Sequence, residues 1–514
     1  MKKIFLIVII ALTYSLSALS ITWNSQEIIS QNHSSFLEIP FDSDQYMEFD
    51  NFEESTATKS NLSVSSWVNF KRAWINFFSV EDTSSHFLEI HTPRTLSENN
   101  GFDLPLNSCF YFNIFTGADH FTNVTQKKSY NYTYYGTKLY ANISDKLYLD
   151  SSWWTGHFTG DEDYYSTSQI NDSWSQNYNS SQRSLDNVNG KIVYKEKIGA
   201  LTIGRGTHLI GNNIGGSIIL NNMCNDYGYF AGKLDFNKFS ISLMHGTLIP
   251  DSTNVNELGE YEYKNYNDKY VAVKKLDWKP NTNVHLFAGE EIVYGGRSID
   301  PSYLLPHTFL RATEHNLRDR DNVLIFGGLK FKLLEKNTFY LNLIFDELSK
   351  SKLFSDWWGN KYAFQIGNSI LLNDQKNFRL TFEFTAVRPW MYTHKILHNK
   401  FSHDGIGLGF PSGSNLFQVN GEINYNLYNN LSTNVHFSFT KQGSLGNDFS
   451  INYETRPDDT ATWLEGEKTE LKEVKSILHW QPLTHHSIII GYSVSKYDIQ
   501  PIEHQLSMSY QASY

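Results

Sequence analysis

Phe378–Leu416 reads FRLTFEFTAVRPWMYTHKILHNKFSHDGIGLGFPSGSNL, and its opening residues decide the fold. Phe378, Leu380, Phe382, Phe384 and Ala386 alternate with Arg379, Thr381, Glu383 and Thr385. Successive side chains on a strand point to opposite faces, so this strand sets apolar groups in one medium and polar groups in another. It closes on Trp390 and Tyr392, amphipathic rings of the kind that collect where a membrane meets water. A loop dense in histidine and glycine follows, with His394, His398, His403, Gly405, Gly407, Gly409 and Gly413. Strand, aromatic rim and turning loop together read as one hairpin arm of an outer-membrane β-barrel.

The same alternation recurs along the chain. Phe110, Phe112 and Ile114 form one set, and Leu147, Leu149 and Trp153 another. Phe339, Leu341, Leu343 and Phe345 alternate with Tyr340, Asn342 and Asp346, and Phe417, Val419, Ile423, Tyr425 and Leu427 with Gln418, Asn420, Glu422, Asn424 and Asn426. Asn429 and Asn430, which tolerate positive φ, mark a tight hairpin before Leu431. Ile488, Ile490, Tyr492 and Val494 repeat the pattern. At ~25 residues per strand and connection, the chain holds on the order of 16 to 20 antiparallel strands, an even number in one transmembrane barrel. A large secreted sandwich or propeller also alternates, but explains neither the aromatic ending nor the aromatic excess.

Composition agrees. Aromatics are 15% of 514 residues, with 31 Tyr and 35 Phe, while hydrophobic residues reach only 40%. A barrel reconciles these figures, because its lumen face stays polar while its lipid face is aromatic and aliphatic. A net charge of -11 leaves no basic stripe for phosphates and excludes nucleic acid as a partner.

The chain opens with Lys2 and Lys3, an apolar run from Ile4 to Leu12, and small residues up to Ser20. The run is too short to cross ~30 Å of hydrocarbon, so residues 1–20 read as a signal peptide cleaved after Ser20 and the protein as exported. Residues 21–60 are acidic and unpatterned, a periplasmic or plug segment, and 61–514 form the barrel. Leu506, Met508, Tyr510, Ala512 and Tyr514 share a face of the closing strand. That aromatic ending is similar to the signal that barrel-assembly machinery reads during insertion into outer-membrane lipid. Cys109 and Cys224 are either a disulfide, which export permits, or two isolated small hydrophobes.

Chemical motifs are sparse. Thr155–Asn189 reads as the longest outer loop, and its acids Asp161, Glu162 and Asp163 as solvated rather than Ca²⁺-binding. The stretch GRGTHLIGNNIGG from Gly204 places Asn212 and Asn213 where a phosphate loop needs Lys and Ser/Thr, and no helix pattern follows. Its glycines suit sharp bends or close backbone approach within a barrel wall. HExxH, G-x-S-x-G and CxxC are all missing, so a hydrolase has no support and neither a cofactor nor a metal is expected. His394, His398 and His403 with Asp404 lie in a region without helical period, which weakens a metal reading. Trp153–Trp154 and Trp357–Trp358 either stack on sugar rings or belong to the interfacial girdle; on a strand only one ring of each pair can face the lumen.

Arg388 to His394 (RPWMYTH), then Phe401–Gly405 (FSHDG) and Gly407, Gly409 and Gly413, resemble the capsule-assembly Wzi-like family of outer-membrane proteins. Ile203-Gly204-Arg205 with Gly211 and Gly216–Leu220 are similar to a second family block, and Ile292–Arg297 with Asp300, Leu304, Pro306 and Phe309 to a third. Asp321, Asn322, Asp356, Asn360 and Lys361 follow in order. The resemblance spans about Gly199 to Phe417. It implies a closed barrel with an obstructed lumen, acting as a non-enzymatic, lectin-like anchor for surface or capsular polysaccharide in the bacterial outer membrane. The rival from another class is a channel or porin with an open polar lumen.

Arg205, Arg297, Glu383 and Arg388 are the expected charged lumen residues, since a guanidinium there pairs bidentately with a carboxylate, either Glu383 or an acidic sugar. Tyr392, His394, His403, Trp357 and Asn360 complete the candidate polysaccharide-binding or lumen set.

Overall fold

The computed structural model describes residues 109–165, 184–250 and 268–513, apart from short breaks at 145, 319, 334–335, 348, 353–354, 373–377, 429 and 484. Residues 1–20, read above as a signal peptide, the 21–60 segment, residues 61–108 and Tyr514 lie outside the described residues, as does 166–183.

The chain forms a closed antiparallel barrel of 18 strands. They are β1 (Cys109–Asn123), β2 (Lys128–Ser144), β3 (Leu147–Gly160), β4 (Ser184–Glu196), β5 (Gly199–Gly206), β6 (Tyr227–Phe236), β7 (Phe239–Leu248), β8 (Lys269–Asn281) and β9 (Val284–Gly295). After these come β10 (Asn322–Leu333), β11 (Asn337–Glu347), β12 (Lys361–Leu371), β13 (Phe378–Val387), β16 (Leu416–Tyr428), β17 (Leu431–Gly443), β18 (Lys468–Leu483), β19 (His486–Tyr497) and β20 (Glu503–Ser513). Each pairs with its sequence neighbour, and β1 closes on β20 from Phe115↔Ser513 to Asn123↔Gln505. A two-residue ribbon, β14 (Ser402–His403) with β15 (Ile406–Gly407), lies between β13 and β16.

One end of the barrel carries turns of two to six residues. The other carries all the long connections, among them 161–183, 207–226, 249–268, 296–321, 388–415 and 444–467. Such an asymmetry characterises outer-membrane barrels. The loop expected over Thr155–Asn189 is shorter, because β3 runs on to Gly160 and β4 begins at Ser184. A helical turn, α1 (Glu162–Tyr165), follows Gly160. Asp161 there accepts from Ser129 N at 2.6 Å, and Asp163 lies 3.4 Å from Lys128 Nζ.

Alternation sets the two faces. On β13, Phe382 is exposed on the outer wall while Thr381, Glu383 and Thr385 are buried inside; Arg379 shares their parity at the short-turn mouth and is exposed. Val419, Ile423, Ile490, Tyr492, Leu506 and Met508 likewise face outward. Trp153 points out and Trp154 in, as the period of two requires. Phe384 stacks on Phe417 at 6.1 Å and Phe417 on Trp463 at 4.9 Å, a girdle of rings round the outer wall near the long loops.

An aromatic set fills the inward faces of β1–β3, with Phe115, Tyr130, Tyr132, Tyr134, Trp154 and Phe158 all buried. The largest apolar cluster lies inside the wall of β6–β13 and β16, where the 207–226 and 388–415 loops turn into the lumen. The glycine-rich stretch is therefore inserted loop rather than wall beyond Gly206. It approaches other groups closely, as expected: a Cβ on Gly215 would collide with Asn420 Nδ2, and Gly216 has φ +99°. Cys224 is a free thiol buried in this cluster.

The two faces predict opposite tolerances. Phe382→Lys should cost ~2–4 kcal/mol, because it places a cation against lipid. Arg379→Ala, on the inward parity, should stay within ~0.5 kcal/mol. Urea unfolding in lipid vesicles checks both values.

Candidate functional site

Glu383 organises the interior. Its carboxylate accepts from Ile214 N at 2.9 Å, Gly215 N at 3.0 Å, Tyr340 Oη at 2.7 Å and Asn420 Nδ2 at 3.2 Å. A lumen carboxylate thus caps two backbone amides of the 207–226 loop, which bring no strand partner of their own. Asn342 Nδ2 donates to Asn212 O at 2.7 Å and Gln365 Nε2 to Gly216 O at 2.9 Å. These wall residues do for the inserted backbone what water does for an exposed loop.

The 388–415 loop is fastened to the first. Tyr392 Oη donates to Ile218 O at 2.6 Å, Tyr392 N donates to Asp346 Oδ2 at 2.9 Å, and the ring stacks on Phe401. Lys361 Nζ completes that anchor, 2.9 Å from Asp346 Oδ1. Asn221 N donates to Leu408 O at 2.8 Å. Trp390 and Tyr392, expected at the membrane interface, are instead buried, each with φ +66°. The loop folds back over its own barrel, so its rings face protein rather than lipid headgroups.

His403 is buried, with Nδ1 accepting from Ile249 N at 2.9 Å. Its ring meets Tyr227 edge-on at 5.5 Å. His208, in the other inserted loop, sits 3.1 Å from Tyr227 Oη, so one tyrosine carries a histidine from each loop. Burial pushes His208 and His403 down to about 3 and His394 down to about 4. His394 packs against Tyr453. Among the described residues no group of His, Cys, Asp or Glu side chains is arranged to hold a metal ion.

The three expected lumen arginines lie elsewhere. Arg205 stands on the outward parity of β5 with Leu201 and Ile203, its Nε donating to Val188 O at 3.1 Å. Arg297 follows β9, stacks over the outward-facing Tyr294 at 4.9 Å and pairs bidentately with Asp321 at 2.8 and 2.6 Å. Arg388 is buried at the long-loop rim, donating to Asn360 O at 3.2 Å and Ala461 O at 2.7 Å. Its guanidinium lies 5.8 Å from the Tyr362 ring and 5.3 Å from that of Trp463. Only Glu383 of the four charges lines the interior, and its partners are three amides and the Tyr340 hydroxyl rather than a guanidinium. Arg297 and Arg388 lie beyond strand ends, where parity assigns no face, whereas Arg205 lies inside β5 and its outward face follows the alternation of Leu201 and Ile203.

Asn360 is buried and structural, with Nδ2 on Lys352 O and Ser355 O at 2.6 and 2.8 Å. Trp357 and Trp358 belong to a ridge where loops 348–360 and 444–467 meet. Trp357 bridges Thr460, and Trp358 N donates to Asp459 O at 3.1 Å. Trp358 packs against Arg456 at 4.0 Å and stacks on Tyr453 at 5.0 Å. Asp356, Asp458 and Asp459 are exposed on the same ridge. Sequence reasoning missed Tyr453, Arg456 and Trp463; no local signal marks them, because their partners lie on other loops.

No family model matches the chain, and no characterised protein matches it by sequence. Among solved structures, the fold is similar to that of Wzi, an outer-membrane protein involved in group 1 capsule assembly in Escherichia coli and described as a carbohydrate-binding β-barrel. The TM-score is 0.52 at 13% identity, over 78% of this chain and 83% of that one. OprD of Pseudomonas aeruginosa is similar at a TM-score of 0.45 and 9% identity, over 79% of this chain and 95% of that one. OpdK of the same organism, bound to vanillate, gives 0.47 at 8% identity, over 79% and 98%. At these identities the likeness to Wzi is one of fold, and the chain has the architecture of a bacterial outer-membrane barrel.

Two predictions follow from the interior. Glu383→Ala removes the acceptor of four donors, of which Tyr340 Oη and Asn420 Nδ2 are buried and Ile214 N and Gly215 N part-buried. The cost is ~1–3 kcal/mol for each buried donor left without a partner, so amide exchange across 210–218 should accelerate at least ~100-fold. The histidines add a pH dependence. An imidazole held below its unfolded value of ~6.5 contributes stability that is complete above that value and is lost as pH falls toward the folded one. Protection from exchange in both inserted loops, taken against the intrinsic rate at each pH, should therefore fall from about pH 6.5 down toward 3, and His403→Gln should blunt the change.

Proposed function

We propose that this protein resides in the bacterial outer membrane, exported through its cleaved signal peptide, and binds or anchors extracellular polysaccharide without catalysing a reaction. The observation that carries the proposal is the pair of loops inserted into the lumen. They are joined to each other and to the wall by Glu383, Tyr392 and a shared apolar core. A barrel whose interior is committed to holding loops does its work at the surface rather than as a passage.

The resemblance of Arg388–Gly413 to the Wzi-like family and the likeness in fold to a carbohydrate-binding barrel support a sugar as ligand. The contact surface is the ridge formed by loops 348–360 and 444–467. Half-exposed Trp357 and Trp358 offer apolar ring edges there, and Asp356, Asp458, Asp459 and Arg456 offer partners for hydroxyls. An indole with charged neighbours is a common recognition pairing, apolar at one end and wet at the other. Three carboxylates at one place favour a neutral or weakly charged polymer over a densely anionic one.

The detergent-purified chain is expected to bind the host's own surface polysaccharide saturably. Trp358→Ala should weaken that binding ~10-fold, or about 1.4 kcal/mol, whereas Trp153→Ala on the outer wall should leave it unchanged. Absence of saturable binding, together with steady ionic conductance in a planar bilayer, is the result that rejects an anchor in favour of a channel.

A further inference from the structure

The outer wall of β8–β10 changes character along its length. Toward the short turns, Leu276 and Trp278 on β8 and Ile325 on β10 are exposed, as lipid-facing residues must be. Toward the long loops, Tyr270, Ala272, Ile292, Tyr294 and Val323 share that outward parity, yet all are buried. What covers them is the β9–β10 connection, which folds back down the outside of the barrel. It contains a 3₁₀ turn over Pro301–Leu304 and a short helix, α2 (Leu310–Asn316), with Tyr303 and Leu310 packed against the wall.

Two outward-facing charges fasten its lower edge. Lys274 Nζ donates to Thr308 O at 3.0 Å and to Thr308 Oγ1 at 2.9 Å, and Glu290 accepts from Leu310 N. Lys274 and Glu290 are direct cross-strand partners, and Glu290 in turn stands opposite Ile325. The tip of the flap is thereby placed at the height of Ile325, which is 43% exposed on the lipid belt of the next strand. At that tip Phe309 is 72% exposed and Leu305 45%. A bulky ring held so far out of the fold, level with lipid-facing residues, does not suit water. The upper ends of the flap are pinned by the Arg297–Asp321 pair and by Tyr303 Oη on Asp321 at 2.6 Å.

We propose that segment 299–311 is an interfacial anchor, with Phe309 and Leu305 inserted among the acyl chains of the membrane leaflet at the long-loop end. Lys274 and Glu290 then serve to hold the flap at a fixed depth, and the flap in turn screens both charges from hydrocarbon. Arg318 and Arg320, exposed just beyond α2, stand on the side where lipid headgroups lie. The partner is membrane lipid; it rests on the membrane-spanning reading of the barrel and is independent of any sugar.

The test uses the full chain carrying Cys109→Ser and Cys224→Ala, with one thiol introduced by Phe309→Cys or Leu305→Cys and labelled with a small fluorophore. It is reconstituted in phosphatidylcholine vesicles whose acyl chains are brominated. Ile325→Cys serves as the lipid-facing control and Glu454→Cys as the aqueous one. Quenching at 309 and 305 is expected to approach that at 325 and to exceed that at 454 several-fold. Quenching at 309 and 305 no greater than at 454, with 325 quenched, overturns the anchor alone. No quenching at 325 either overturns it together with the membrane-spanning reading. Self-quenching between labels at 309 in place of bromine quenching overturns it in favour of a second copy of the chain.

Discussion

A wall that crosses hydrocarbon must pair every backbone N–H and C=O within itself, and a closed sheet is the way strands achieve this. Here the requirement is met where β1 zips onto β20 over nine residue pairs from Phe115↔Ser513 to Asn123↔Gln505. Closure imposes the period of two on every strand, and the period creates an outer apolar face and an inner polar one. The inner face then offers partners to inserted backbone. Glu383, Asn342 and Gln365 are ordinary lumen residues by parity. They are also the groups that satisfy the 207–226 loop, so the polar lining is committed to protein rather than to solvent.

Inserting two loops carries costs that the packing must offset. Trp390, Tyr392, Asp404 and Asn415 have positive φ within one loop, each at ~1–3 kcal/mol. Against this stand fully buried Ile218, Ile219, Leu220, Phe401 and Leu408, each contributing ~1.5–3 kcal/mol on leaving water. Glu291 works the other way. Its carboxyl is buried in the wall beside Val273 and Leu324, and among the described residues neither oxygen has a hydrogen-bond partner. A group of that kind is tolerated only where surrounding contacts over-determine its place.

How much of this was legible follows from the range of each interaction. Strand alternation is a property of neighbours in sequence, so the barrel, its inward Glu383 and the split of Trp153 from Trp154 could all be read directly. The use of Glu383 could not, because its partner Gly215 lies 168 residues away. Trp390 and Tyr392 carry the composition of an interfacial girdle, and composition does not say whether a loop turns outward or folds inward. Arg297 and Arg388 sit beyond strand ends, where parity no longer assigns a face, whereas Arg205 lies within β5 on the outward parity of Leu201 and Ile203. The glycine-rich stretch was rightly read as close backbone approach, but what it approaches is Asn420 across the lumen rather than an adjacent strand.

The fate of Arg388 bears on what a motif of this kind encodes. Its guanidinium is buried, bonded to the carbonyls of Asn360 and Ala461 and set near the rings of Tyr362 and Trp463. A planar cation with a fixed fork of donors is well suited to joining loop backbones that have no strand partners. Tyr392 and Asn360, from the same motif blocks, likewise spend their polar atoms on carbonyls inside the protein. Residues engaged in this way hold loops in register and leave little for a ligand to touch. These residues therefore hold the scaffold, while Trp358 is positioned apart from them by Arg456 and Tyr453 from a separate loop.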